Sequence, residues 1–189
     1  MSERRRVIVH IATSADGYIA RPDGDIDWLT SRPKPAGFYG IGAFMQSIDT
    51  KLIGRKTYEM SLRLGAKFSS KERTIVFSRH PPPAAVPKGV EFATGALGPF
   101  MKQLREQEGK DIWLMGGGEL IASLLDEDAI DEMVITVTPV FIGDGIPLIG
   151  RRHRHTPLDL QSVERFDDGV VQLKYRVYAQ GRHAFALQP

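Results

Sequence analysis

The chain has 189 residues, and 25 lysines and arginines stand against 23 aspartates and glutamates, so its formal net charge is only +2. A hydrophobic fraction of 42% is typical of a globular protein and argues against a disordered one. The absence of cysteine excludes disulfides, thiolate nucleophiles and Cys-ligated zinc or iron–sulfur sites, and the small net charge gives no indication of nucleic-acid binding.

The sequence shows no targeting or membrane-spanning pattern. No apolar run approaches the roughly 20 residues that cross a bilayer. The basic start, Ser2–Arg6, leads into an apolar run that reaches Asp16 without a small-residue cleavage site, which favours a frayed start and a strand over a signal peptide. We therefore expect one cytoplasmic domain over residues 1–189, with tails at 1–6 and 181–189, that acts on a small molecule and binds neither nucleic acid nor membrane.

Strand and helix patterns alternate along most of the chain. Val7–Ala12 is an apolar, β-branched run that predicts a buried strand, and a long loop follows it. Phe38, Ile41, Met45 and Ile48 recur at helical spacing and predict one helix over Gly37–Asp49. Further strands are predicted at Lys51–Gly54, Thr74–Ser78, Val90–Ala93, Ile112–Met115 and Met133–Pro139, and further helices at Lys56–Leu62, Gly98–Glu108 and Glu119–Leu125.

The C-terminal part has a different pattern. Val171–Val177 alternates apolar with polar residues, which is typical of a strand with one wet face, and Leu158–Phe166 is its predicted antiparallel partner. Together these patterns predict a three-layer α/β/α fold with a mainly parallel sheet and antiparallel C-terminal strands. Ligands in such sheets bind beyond the carboxyl ends of the strands, so chemistry is expected in the loops there.

Three consecutive glycines, Gly116–Gly118, lie between a predicted strand and a predicted helix. A helix N-terminus offers free N–H groups and a positive dipole end, and glycine permits a ligand to approach closely, so this turn predicts anion binding rather than a plain connection. It is not the dinucleotide fingerprint, because residue 121 is isoleucine, and Gly54–Thr57 lacks the upstream glycine of a P-loop.

Two other predicted strand ends carry phosphate-binding side chains. Arg55 can pair with a phosphate, and Thr57 can cap the next helix or bind phosphate. Ser78 and Arg79 suit a terminal phosphomonoester such as the 2′-phosphate of NADP. Taken singly, each of these residues is more often a simple cap or a solvated arginine, but three such strand ends on one ligand edge favour phosphate binding.

Five motifs follow one another along the chain: Ser14–Ala20, Gly54–Glu59, Ile75–Arg79, Met115–Glu119 and Pro139–Leu148. In their order and spacing, these motifs resemble the dihydrofolate reductase superfamily, and within it the branch that contains the C-terminal reductase domain of riboflavin biosynthesis. The resemblance runs from about Val7 to Ala179 and implies an eight-stranded sheet, NADPH as cofactor, a cis Gly116–Gly117 peptide and a homodimer formed through the C-terminal strands.

The resemblance also implies site residues. The cofactor residues fall into three groups: Ala12, Asp16, Gly17 and Ile19 at the nicotinamide end; Gly54, Arg55, Thr57, Met115, Gly116, Gly117, Gly118, Glu119, Leu120 and Ile121 around the pyrophosphate; and Ser78 and Arg79 at the 2′-phosphate.

The acceptor of a hydride must also gain a proton, which a carboxyl group of raised pKa can supply. Asp27 lies where the family places its substrate-facing acid, with Asp25 as the second choice for that role, and Asp16 is a further catalytic candidate. Asp25, Trp28 and Tyr18 are the candidate substrate residues. The alternative is that the acids cap or solvate a turn and that Trp28 fills the core.

Residues 151–155, Arg-Arg-His-Arg-His, form a basic run without interleaved aromatics. We interpret it as a solvated loop rather than a nucleic-acid or metal site. Two functions stay open: an NADPH-dependent reductase of a small heterocyclic, carbonyl or imine substrate, and a nucleotide-binding protein of the same fold that acts by interaction without chemistry.

Overall fold

A computed structural model describes residues 4–33, 35, 37–68, 70–151 and 155–179. Within these residues the strands are β1 Val7–Ser14, β2 Tyr18–Ala20, β3 Ile48–Gly54, β4 Arg73–Phe77, β5 Val90–Ala93, β6 Asp111–Gly116, β7 Glu132–Thr138, β8 Ile146–Pro147, β9 Leu158–Arg165 and β10 Val171–Val177. The helices are α1 Asp27–Thr30, α2 Ile41–Ser47, α3 Arg55–Arg63, α4 Leu97–Glu106 and α5 Gly118–Asp126.

Eight of the strands form one sheet in the order β5-β4-β3-β6-β1-β7-β10-β9. Six of them are parallel, and β10 and β9 are antiparallel to their neighbours. The remaining two, β2 and β8, pair with each other. The predicted fold class is therefore confirmed, and the carboxyl ends of β4, β3, β6, β1 and β7 share one edge.

Helices cover both faces of this sheet. On one face, Leu52, Leu114 and Val9 pack with Met101 of α4 and Ile121 of α5, and all five are almost completely buried. Burial of each such side chain stabilises the fold by roughly 1.5–3 kcal/mol. This apolar contact on both sides explains why the central strands are continuous hydrophobic runs.

On the other face, α2 and α3 pack against the same strands. Tyr58 of α3 lies in a cluster with buried strand residues, and Phe44 of α2 stacks on His10 at 4.6 Å between ring centroids. The Phe44 ring also meets Trp113 edge-on, at 5.6 Å. Burial lowers the pKa of His10 to about 4, so this imidazole is neutral at pH 7 and serves packing.

The predicted helix over Gly37–Asp49 was wrong at both ends. Only Ile41–Ser47 is helical, and β3 already begins at Ile48. Before α2, Gly37, Phe38, Tyr39 and Gly40 all have positive φ, so the chain makes a left-handed turn there. The apolar spacing was real, but it joined residues of a turn, a helix and a strand into one pattern.

The predicted frayed tail was wrong from residue 4 onward, because ion pairs and hydrogen bonds hold this segment against the sheet. Arg5 is only 6% exposed, pairs with Asp49 and donates to Thr50 Oγ1 at 2.7 Å. Arg6 pairs with Asp111. The predicted tail 181–189 and most of the basic run, residues 152–154, lie outside the described residues.

Candidate functional site

The carboxyl ends of β3 and β6 meet at two glycine turns. A Cβ placed on Gly54 would lie 3.6 Å from Gly117 N and 3.7 Å from Gly116 O. Gly116 has φ +110°, which a side chain rarely allows, and the Gly116–Gly117 peptide is cis, as the resemblance implied. A Cβ on Gly54 would make only ordinary contacts, so it is the positive φ of Gly116 that calls for glycine where the two backbones meet.

Two helices begin at this contact. Gly54 precedes α3 and Gly117 precedes α5, and within the described chain no side chain caps either helix. A Cβ on Gly117 would lie 2.9 Å from Thr57 Oγ1, so the two N-termini face each other. Their first N–H groups and their dipole ends give a site with the electrostatics of an anion-binding cradle.

The guanidinium group of Arg55, at the start of α3, lies beside this cradle and contacts the end of a third strand, β4. Arg55 Nη1 donates to Ser78 Oγ at 3.3 Å and to Pro81 O at 2.9 Å, and Arg55 Nε pairs with Glu59 at 2.8 Å. The structure therefore brings Arg55 and Ser78 together, as the motifs predicted for a shared edge. Arg79 is exposed next to them.

The loop after β1 is joined to the loop after β7. Asp16 Oδ2 accepts hydrogen bonds from Ile142 N at 3.1 Å and Gly143 N at 2.8 Å. Contact with the Ser14 hydroxyl, and then these N–H groups, lower the pKa of Asp16 below its usual range. Its carboxylate is thus engaged in holding two loops together, which is a different use from proton transfer.

The joined loops contact the helix starts at Gly54 and Gly116–Gly118, which together we call the glycine cradle. Leu148 N donates to Gly17 O at 3.0 Å, and Gly150 N donates to Gly118 O at 3.0 Å. Ile19 Cδ1 lies 3.9 Å from the Cβ position of Gly117. The residues predicted for the nicotinamide end and those predicted for the pyrophosphate therefore line one continuous edge.

The other two candidate acids, Asp27 and Asp25, are engaged in local hydrogen bonds. Asp27, with a side chain 53% exposed, forms a two-pronged ion pair with Arg21 at 2.6 and 3.1 Å. The hydrogen bond from Arg21 lowers the pKa of Asp27, whereas a proton donor near pH 7 needs a raised one. Asp25 Oδ1 accepts from Ile26 N and Asp27 N, which is a local turn contact.

The two aromatic substrate candidates have different positions. Trp28 is 6% exposed, and its Nε1 is buried without a hydrogen-bond partner among the described residues. Tyr18 is half-buried in β2. Burial of Trp28 is consistent with the core alternative, but an indole N–H that is buried and unpaired is uncommon in a purely structural role.

Sequence reasoning missed several polar residues near this edge. Thr136 and Thr138 lie two residues apart in β7, so their side chains point to the same face of the sheet. Thr138 is buried, and its hydroxyl has no hydrogen-bond partner within the described structure. Thr136 Oγ1 accepts from Gln172 Nε2 at 3.0 Å. The sequence pattern that could have identified these two threonines is a pair of polar β-branched residues at the carboxyl end of an otherwise mainly apolar strand.

Other features of the described chain lie elsewhere. Two open cavities, of about 620 Å³ near Arg5 and about 300 Å³ near Leu125, do not include the glycine cradle. The described residues contain no cluster of three potential metal ligands. Among them, too, no helix has the length and apolar character needed to span a membrane.

Comparison with known proteins agrees with this architecture. The family model of the RibD C-terminal domain matches residues 5–172. The chain belongs to this family. The uncharacterised protein YwjB of Bacillus subtilis is a relative, 37% identical over 171 residues that cover 90% of this chain and 97% of YwjB.

Solved structures place the family within a wider fold. A Shewanella sp. PV-4 protein provisionally assigned to riboflavin biosynthesis has a TM-score of 0.79 and 34% identity, over 92% of this chain and 99% of its own. The Thermotoga maritima deaminase and 5-amino-6-(5-phosphoribosylamino)uracil reductase has a TM-score of 0.69 and 20% identity, over 93% of this chain and 57% of its own. Enterococcus faecalis dihydrofolate reductase, solved with NADP(H), has a TM-score of 0.65 and 16% identity, over 92% and 97%. At such identities the last two show the fold alone, so this member of the RibD C-terminal domain family has a dihydrofolate reductase-like fold.

Proposed function

We propose that this protein is an NADPH-dependent reductase of a small heterocyclic, carbonyl or imine substrate. The observation that carries the proposal is the glycine cradle, where the uncapped starts of α3 and α5 face each other across Gly54 and Gly117. A Cβ would fill this space, so the glycines fit a ligand that approaches the backbone. The Enterococcus and Thermotoga neighbours, a reductase solved with NADP(H) and a uracil reductase, support the same assignment.

The residues present fit the cofactor in charge as well as in shape. The helix starts would bind the pyrophosphate, and Ser78 and Arg79, with Arg55 beside them, would bind the 2′-phosphate. When bound, NADPH supplies a hydride to the acceptor carbon. The loops joined by Asp16 would hold the nicotinamide end and exclude water from it.

A second function is favoured by one observation. Asp27 and Asp16, the two candidate proton donors, both have lowered pKa values and are held in hydrogen bonds. A nucleotide-binding protein of this fold that acts by interaction needs no such donor. The two functions differ in whether bound NADPH is oxidised when heterocyclic, carbonyl and imine acceptors are added.

The proposal also includes the assembly and the location. A homodimer through β9 is supported by the exposed apolar side chains Leu160 and Val163 on this edge strand. We place the protein in the cytoplasm, since a cysteine-free chain requires no oxidising compartment.

Calorimetric titration with NADPH and NADH tests the cofactor assignment. We expect NADPH to bind more tightly than NADH, and Arg79→Ala to weaken NADPH binding about tenfold through loss of a charge-assisted contact. NADH binding should not change. Arg63→Ala, which removes an exposed arginine from the far end of α3, is the matched control. Equal affinity of the wild type for both cofactors would contradict the 2′-phosphate site, and no binding of either would remove the proposal.

A further inference from the structure

The cavity of about 300 Å³ near the end of α5 is apolar. Six of its seven lining residues in the described chain are apolar, and the seventh is Thr156. Leu125 and Met133 are buried, whereas Ile149 and Leu158 are only half-buried. Apolar side chains that water still reaches on one side are stabilised when another apolar group covers them.

One wall of this cavity is formed by a segment, residues 148–150, that also contacts the candidate site. Its first two residues line the cavity. Leu148 N donates to Gly17 O in the loop after β1, at 3.0 Å. Gly150 N donates to Gly118 O at the start of α5, also at 3.0 Å. A group that fills the cavity therefore packs against the segment that holds these two parts of the site together.

The chain leaves the described part of the structure next to this cavity. Tyr178, just after the end of β10, donates its N–H to Pro157 O at 3.2 Å. Pro157 lies between Thr156 and Leu158, which both line the cavity. Residues 180–189 lie outside the described residues, but the position of Tyr178 means that this segment starts beside the cavity wall.

The amino-acid sequence of residues 180–189 matches an apolar cavity. Residues 184–187 are four consecutive apolar residues, and one of them is the aromatic Phe185. From Tyr178 to Phe185 an extended chain spans up to about 25 Å, so the segment is long enough to turn back onto the cavity. Residues 152–154, which lie in the sequence between two lining residues, are Arg-His-Arg and offer no comparable apolar group.

We propose that residues 184–187 dock into this cavity of their own chain, with Phe185 as the anchor, and thereby brace residues 148–150 against the start of α5. Docked there, the segment covers the half-buried side chains of Ile149 and Leu158. It also restricts the motion of the N–H groups that hold the two parts of the site together. This docking is independent of the proposed reductase function, because it is tested without cofactor or substrate.

Pairs of introduced cysteines test the docking directly, because the chain contains no cysteine of its own. Ala186→Cys keeps Phe185 and is combined either with Leu158→Cys, at the cavity, or with Asp159→Cys, the next residue of β9, whose side chain points to the other face of the sheet. Both positions are equally near the start of residues 180–189, so an undocked segment would react with both at similar rates. We expect the intrachain disulfide at position 158 to form at least about tenfold faster, and Phe185→Ala to abolish this preference.

In the cysteine-free chain, Phe185→Ala should lower the Tm by roughly 5 °C, because the ring no longer covers the cavity, and should accelerate amide exchange at Leu148 and Gly150. Phe141→Ala removes a phenylalanine that is 78% exposed and should change neither quantity. Equal disulfide rates at positions 158 and 159, or an unchanged Tm and exchange in Phe185→Ala, would overturn the docking. A disulfide that joins two chains, seen as a dimer on a non-reducing gel, would overturn it in favour of a segment supplied by a second copy.

Discussion

At the scale of single residues, Gly117 tests whether the space between the two helix starts is a ligand site. Its φ of −79° is available to alanine, but a Cβ would lie 2.9 Å from Thr57 Oγ1 and occupy the cradle. Gly117→Ala should therefore fold and bind NADPH about tenfold more weakly, because its methyl group would occupy the space proposed for the pyrophosphate, and tenfold corresponds to about 1.4 kcal/mol. Fluorescence titration with NADPH measures this change.

Gly42→Ala is the matched control for that substitution. Gly42 lies within α2 and faces open space, so alanine should leave the NADPH affinity unchanged and stabilise the helix by roughly 0.5–1 kcal/mol. Unchanged NADPH affinity in Gly117→Ala would mean that the glycine turn serves only the close approach of β3 and β6.

At the scale of elements, Asp16 determines whether two loops act as one. Its carboxylate accepts the N–H groups of Ile142 and Gly143, which lie in the other loop. Asp16→Asn removes the charge and one acceptor oxygen, so amide hydrogen exchange at these two residues should accelerate and NADPH should bind more weakly. Asp144→Asn is the control, because among the described residues Asp144 accepts from Gly145, at 2.8 Å, within its own loop. Exchange that is equally slow in both variants would contradict the bridging role.

The observed strands and helices also show which features of the fold sequence patterns can predict. Most strand and helix positions are confirmed within a few residues, because a buried strand or an amphipathic helix is encoded by its own residues. The pairing of β2 with β8 was not predicted, since it depends on contacts between segments more than a hundred residues apart. The Arg21–Asp27 ion pair has the same origin at shorter range: spacing identified the acid, but only the folded loop selects its partner.

At the scale of the whole molecule, the sheet of the described residues ends at β9, and none of these residues pairs with its outer edge. Most of this strand is exposed, including Leu160 at 50% and Val163 at 57%, and such an edge is a template for pairing with another chain. The parallel side of the sheet was predictable from its apolar runs, whereas the partner of this edge is not encoded by any periodicity. In a symmetric dimer, one substitution changes the interface twice, once from each subunit.

Val163→Glu therefore distinguishes a dimer that pairs through β9 from a monomer in which the edge of β9 is exposed to solvent. The substitution removes apolar area from both copies and buries two carboxylates, so the dimer dissociation constant should rise by roughly a hundredfold or more. Sedimentation velocity should show a wild-type dimer at micromolar concentration and a monomer for the variant. Val86→Glu changes another exposed valine, in the loop before β5, and should remain dimeric. A monomeric wild type would remove the dimer and leave β9 as a solvated edge, in which case each subunit must contain its complete cofactor site within one chain.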